Sequence, residues 1–132
     1  MPLIYTLYVM RNLPESKHSE VMYIEKYKDE ILSIILRFVP KENYIVFLFG
    51  SYAQGNALQS SDIDVGIWGT QKIDDKVFLE ITERIDNEVK TLRKIDLVDF
   101  FTLDEKVKKE AFQEIVIWHK GKNCNELLNN LK

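Results

Sequence analysis

From Tyr44 to Trp68 the chain reads Tyr-Ile-Val-Phe-Leu-Phe-Gly-Ser, then ten further residues, then Asp-Ile-Asp-Val-Gly-Ile-Trp. Two apolar runs bounded by turn residues read as strands, Tyr44 to Phe49 and Asp62 to Trp68. The first is apolar at every position, as a strand covered on both faces must be. Alternation along the second places Asp62 and Asp64 on one face and turns Ile63 and Val65 into the core. Two neighbouring carboxylates repel each other, and they persist most readily with a divalent cation between them. Oxygen ligands of this kind suit magnesium, which takes one or two carboxylates together with substrate phosphates. Gly50 lets backbone approach a ligand closely. The N–H groups of a strand-to-helix turn at Gly50 and Ser51 offer an anion site. Gly50 and Gly55 also suit simple tight bends, but the Asp pair that follows favours a functional Gly50-Ser51.

The remaining pattern surrounds this unit with helices and further strands. Ile24, Tyr27, Ile31, Leu32, Ile35 and Phe38 recur at helical spacing, predicting a helix from Ser16 or Ser19 to Phe38 that Pro40 stops. Tyr52 to Ala57 predicts a short helical turn broken at Gly55 and Asn56. A second long helix is expected over Asp74 to Leu92, with Ile73, Val77, Ile81, Ile85, Val89 and Leu92 on one stripe. Lys94 to Phe101 reads as a strand. Thr102 and Glu105 suggest a capping box for a helix ending near Gln113. Ile115 to Trp118 reads as an edge strand, and Leu127, Leu128 and Leu131 suggest a short packing helix in the terminal segment. Within Lys94 to Phe101, Asp96 lies among Ile95, Leu97 and Val98, where burial without a partner is costly. A metal held by Asp62 and Asp64 is the partner that fits. Asp99 competes for that role: three residues along a strand it faces the other way, so the two cannot serve together.

Composition excludes several classes. A chain of 132 residues implies one domain. A net charge of −3 argues against direct gripping of nucleic acid through phosphates. No serine–histidine pairing or cysteine–histidine cluster is evident, which argues against triad acyl transfer and zinc chemistry. His18 and His119 read as solvated or structural side chains. The single Cys124 cannot form an internal disulfide, so a reducing cytoplasm is expected, with the thiol on the surface of the tail. The apolar run Met1 to Met10 is too short to span a membrane and lacks the basic residues of a signal peptide.

Gly-Ser, ten residues and Asp-x-Asp together resemble the signature of the DNA polymerase beta-like nucleotidyltransferase superfamily. In so short a chain the likeness is to the minimal nucleotidyltransferases, often encoded beside a HEPN-domain protein as toxin–antitoxin pairs. The resemblance spans Tyr44 to His119. It implies an α+β fold with a mixed sheet of four to five strands and helices packed mainly on one face. Residues 1–132 would form a single domain, with 1–14 as an arm or extra strand and 122–132 as a tail. It further implies that Gly50, Ser51 and Ser61 bind the phosphates of a nucleoside triphosphate, ATP being the commonest donor. Asp62, Asp64 and Asp96 would be the catalytic carboxylates, ligating one or two magnesium ions. Asp96 is preferred to Asp99 because the family pattern sets the acid right after the first apolar residue of its strand.

The implied reaction attaches AMP to a tyrosine hydroxyl of a partner HEPN ribonuclease toxin, neutralising it within a hetero-oligomer. Two alternatives stay open: nucleotidyl transfer to a small molecule such as an antibiotic, or a non-catalytic antitoxin that occludes its partner. The presence of all three carboxylates argues against the last. In one respect the chain departs from the pattern. Many relatives carry arginine shortly after Gly-Ser, whereas this chain has Tyr52, Ala53 and Gln54. Lys72 and Arg93 are the candidates to replace that charge.

Overall fold

The computed structural model describes residues 18–55, 57 and 61–130. Its regular elements are α1 (His18–Phe38), β1 (Tyr44–Phe49), α2 (Gly50–Gln54), β2 (Ile63–Gly69), α3 (Asp75–Glu88), β3 (Ile95–Asp99), α4 (Glu105–Ala111), β4 (Val116–Lys120) and α5 (Asn125–Asn129). Short 3-10 turns at Lys41–Asn43 and Phe100–Thr102 precede β1 and follow β3. The N-terminal arm, the proposed cap at Ser16, Asn56 and Leu131 lie outside the described residues.

One mixed sheet runs in the order β3-β2-β1-β4. β1 pairs antiparallel with both β2 and β4, while β2 and β3 run parallel. This is the α+β architecture expected. β1 lies inside the sheet, and its first five residues are buried. Alternation divides each strand between two cores. Val46, Leu48, Ile63, Val65, Ile67 and Ile95 face the long helices, where Ile31, Ile35, Ile81 and Ile85 meet them. Burying each such side chain contributes about 1.5–3 kcal/mol, so this layer fixes α1 and α3 against the sheet. The opposite face is aromatic: Ile45, Phe47, Trp68 and Phe100 are closed over by Phe112 of the turn after α4 and by Leu127 and Leu128 of α5. Gly66 is what allows the Phe47 ring to lie flat across β2, since a Cβ there would overlap that ring.

Local chemistry moved several boundaries. Asp74 caps α3, its Oδ1 accepting from the N–H groups of Lys76 (2.9 Å) and Val77 (3.4 Å). That helix stops at Glu88, and Leu92 stands fully exposed instead of completing the apolar stripe. The Thr102 capping box does not form. The 3-10 turn at Phe100–Thr102 takes up that stretch, and the Thr102 hydroxyl donates back to the Asp99 carbonyl (2.9 Å). Asp104 caps α4 in its place, accepting from Val107 N–H at 3.0 Å. Cys124 is not a surface thiol. It is fully buried beneath α5 within the aromatic core, and burial pushes its thiol pKa up. His119 is structural, its Nε2 sitting 2.7 Å from the Lys41 carbonyl oxygen. Among the described residues no helix is long and apolar enough to cross a membrane.

Candidate active site

The candidate residues meet at one end of the sheet, where β1 finishes and β2 and β3 begin. Parallel pairing sets Asp64 directly beside Asp96. Register partners in adjacent strands share a face, with backbones about 4.8 Å apart. Asp64 and Asp96 therefore project together from the aromatic face. On its other side Asp64 is paired with Phe49, the last residue of β1. Phe49 is half-buried and packs edge-on against Phe100, ring centres 5.0 Å apart. It makes an apolar wall beside the acids. Sequence reading passed over Phe49, although the alternation of Phe47 and Phe49 with Val46 and Leu48 carried the signal.

Gly50 follows at once and opens α2 with φ +73°. A Cβ at this position would overlap the Asp64 Oδ2, so the backbone of the turn rests against the carboxylate. α2 starts with no side-chain cap. The N–H groups of its first turn have no partner within the helix. Ser51 is half-buried in that turn, and Ser61 is half-buried just before β2. Asp62, one residue outside β2, is exposed.

The acids affect one another. Partial burial, then the charge of Asp96, then that of Asp62 push the Asp64 carboxyl up to about 6. Burial disfavours its charged form, and like charges add to that effect. Asp99 is a different case. It lies across the sheet from Asp96, where Oδ2 accepts from Ile73 N–H (3.1 Å) and Oδ1 from Phe101 N–H (3.1 Å). Its oxygens tie the loop before α3 to the end of β3. The geometry thus pairs Asp96, not Asp99, with Asp64. Lys72 falls away as a phosphate ligand. It bonds Asp75 at 2.6 Å and lies past the far end of β2, more than about 15 Å from Asp64 by strand rise.

A match to the family model described as "Polymerase beta, Nucleotidyltransferase" extends over residues 22–123. The chain belongs to this nucleotidyltransferase family. Solved structures with the same fold include a toxin–antitoxin complex with AMP-PNP, 20% identical, covering 79% of this chain and 82% of that one at a TM-score of 0.63. Another is a tri-AMPylated Shewanella oneidensis HEPN toxin in complex with an MNT antitoxin, 17% identical, covering 81% and 82% at 0.60. A third, the MntA-HepT toxin–antitoxin, is 16% identical and covers 81% and 82% at 0.57. At these identities the likeness is one of fold. No curated protein matches the chain.

Among the described residues no three His, Cys, Asp or Glu side chains are arranged to enclose a metal ion unaided. Asp64 and Asp96 stand together while Asp62 faces solvent. For this nucleotidyltransferase that donor set still fits magnesium. Two adjacent carboxylates, a third two residues before Asp64 and a backbone anion turn leave ligand positions for phosphate oxygens and water, as a hard octahedral cation requires.

Proposed function

We propose that this nucleotidyltransferase moves AMP from ATP to a hydroxyl group, and that the acceptor is a tyrosine of a HEPN-domain partner whose ribonuclease activity is thereby silenced. The observation that carries the reading is the side-by-side register of Asp64 and Asp96, with the Gly50 backbone pressed against Asp64. Such an arrangement is of little use to stability, since it lifts the Asp64 pKa, and a perturbed acid at an open site is typical of catalysis. Fold relatives that are toxin–antitoxin complexes, one with AMP-PNP and one with an AMPylated HEPN toxin, support the choice of donor and acceptor. We place the reaction in the cytoplasm.

In this mechanism the first-turn N–H groups of α2, with Ser51 and Ser61, hold the β- and γ-phosphates. Asp62 and Asp64 would hold magnesium, with Asp96 completing the set; when bound, the ion neutralises phosphate charge and polarises the α-phosphoryl group. In this reading Asp96, beside Asp64, completes the metal set or takes the proton of the acceptor hydroxyl. The acceptor oxygen forms a bond to the α-phosphorus as the bond from that phosphorus to the β-bridging oxygen breaks. Pyrophosphate leaves with the electron pair. The Phe49 wall limits water at the reacting end and offers a surface to an aromatic acceptor.

Incubation with labelled ATP, magnesium and a HEPN partner tests this. Label on a partner tyrosine, lost in the Asp62→Ala/Asp64→Ala variant, is the expected result. A tight complex with no label transferred would instead establish occlusion. Label on a low-molecular-weight hydroxyl compound would point to a small-molecule acceptor.

A further inference from the structure

Three arginines lie among the described residues, and one is unlike the others. Arg37 and Arg84 each reach glutamates, Arg37 to Glu88 (4.0 Å) and Arg84 to Glu80 (3.9 Å) and Glu88 (3.7 Å). Arg93 forms no ion pair with an acid among the described residues. Its Nε is buried without a hydrogen-bond acceptor among them. An orphaned buried donor of this kind is costly to the fold, and a charged one more so.

The side chain is nonetheless held in place. Its guanidinium centre lies 5.4 Å from the Tyr23 ring and 6.0 Å from the Tyr52 ring, within cation–π range of both. The chain beneath it is fastened too. Arg93 N–H donates to Thr91 Oγ1 (3.1 Å), and that oxygen lies 2.8 Å from the Tyr23 hydroxyl. The location matters most. Arg93 lies two residues before β3, next to Lys94, whose carbonyl accepts from Ile63 N–H at 2.8 Å. It is thus at the sheet end that carries Asp62, Asp64 and Asp96. Tyr52, one of its two rings, directly follows Ser51 in α2.

We propose that Arg93 is the cationic contact for the terminal phosphates of the nucleoside triphosphate. This rests on the nucleotidyltransferase reading given above. Aromatic rings pack against the planar group and fix it, while its edge N–H donors remain for an anion. Such a fork matches phosphate oxygens in pairs. The neutral stretch Tyr52, Ala53 and Gln54 supplies no charge of its own, and Lys72 is engaged at the opposite end of β2. The loop before β3 therefore brings the positive charge that α2 lacks, with Tyr52 acting as its rest.

Calorimetric titration of the full chain with magnesium tripolyphosphate, ATP and AMP separates the alternatives. Wild type is expected to bind tripolyphosphate and ATP. Arg93→Gln should weaken both by about 10- to 100-fold, the worth of charge-assisted bonds, and leave AMP affinity within about 2-fold. Arg93→Lys keeps charge but loses the fork, and should weaken tripolyphosphate by about 3- to 10-fold. That milder variant decides the matter if Arg93→Gln does not fold. Tripolyphosphate affinity unchanged in both variants overturns the proposal. So does an equal loss for AMP and tripolyphosphate, which marks Arg93 as a structural prop. Wild type that binds neither ATP nor tripolyphosphate removes the nucleotide reading itself, and this proposal with it.

Discussion

Asp64→Asn is predicted to stabilise the fold near neutral pH while destroying activity. The Asp64 carboxyl sits at about 6 in the folded chain, against an ordinary value of 3.8. Between these pH values the folded state binds more protons than the unfolded state, so stability falls as pH rises through the window. The interval corresponds to about 3 kcal/mol at 1.36 kcal/mol per pH unit. Asp64 is only half-buried, and solvent screening reduces this to about 1–2 kcal/mol. Asparagine cannot ionise and keeps the shape. Urea unfolding of both proteins, with EDTA present, at pH 3.5 and pH 7.5 gives the double difference and cancels the titrating groups that do not interact with Asp64. The variant should gain about 1–2 kcal/mol relative to wild type on going from the lower to the higher pH, or about 3–8 °C in Tm. Saturating magnesium should erase that advantage, because the cation rewards only the carboxylate. A double difference of zero, or of opposite sign, would refute the claim that burial and the neighbouring acids strain Asp64.

Three further outcomes follow from the same geometry. Gly50→Ala forces a left-handed backbone on alanine and drives its Cβ into Asp64, so transfer should drop about 100-fold and stability by about 1–2 kcal/mol; label transfer and urea unfolding check both. Asp96→Asn should abolish transfer with the melting temperature held, whereas Asp99→Asn should keep measurable transfer and cost about 1–3 kcal/mol, since Asp99 serves two backbone N–H groups. Asp104→Ala, which removes the cap of α4, should cost about 1 kcal/mol and leave transfer intact, as measured by the same pair of assays.

The sheet and its two acids were legible because hydrophobic alternation and carboxylate spacing are local properties. Tyr44–Phe49 could be read as an interior strand from its unbroken apolar run; strand parity showed that Asp96 and Asp99 face opposite ways, and the family resemblance, not parity, chose between them. What escaped was decided by groups distant in sequence or by competition over one or two residues. Thr102 lost its capping role because the 3-10 turn at Phe100–Thr102 takes up that stretch and Asp104 caps α4 instead. Cys124 looked peripheral in a polar tail, yet Leu127 and Leu128 carry α5 onto the aromatic face and bury it. The roles of Lys72 and Arg93 could not be separated from sequence, because only the fold shows which end of β2 each one reaches. Phe49 was overlooked for a similar reason: its neighbour Asp64 comes from a different strand.

The parallel ladder between β2 and β3 has an evolutionary corollary. Spacing between Asp64 and Asp96 is dictated by adjacent rungs, not by the thirty or so residues of chain that separate them. The α3 crossover can therefore lengthen, shorten or change its outward surface while the two acids keep their separation. Drift in that segment would be free to remodel which surfaces the chain presents, provided Arg93 and the short lead into β3 stay anchored.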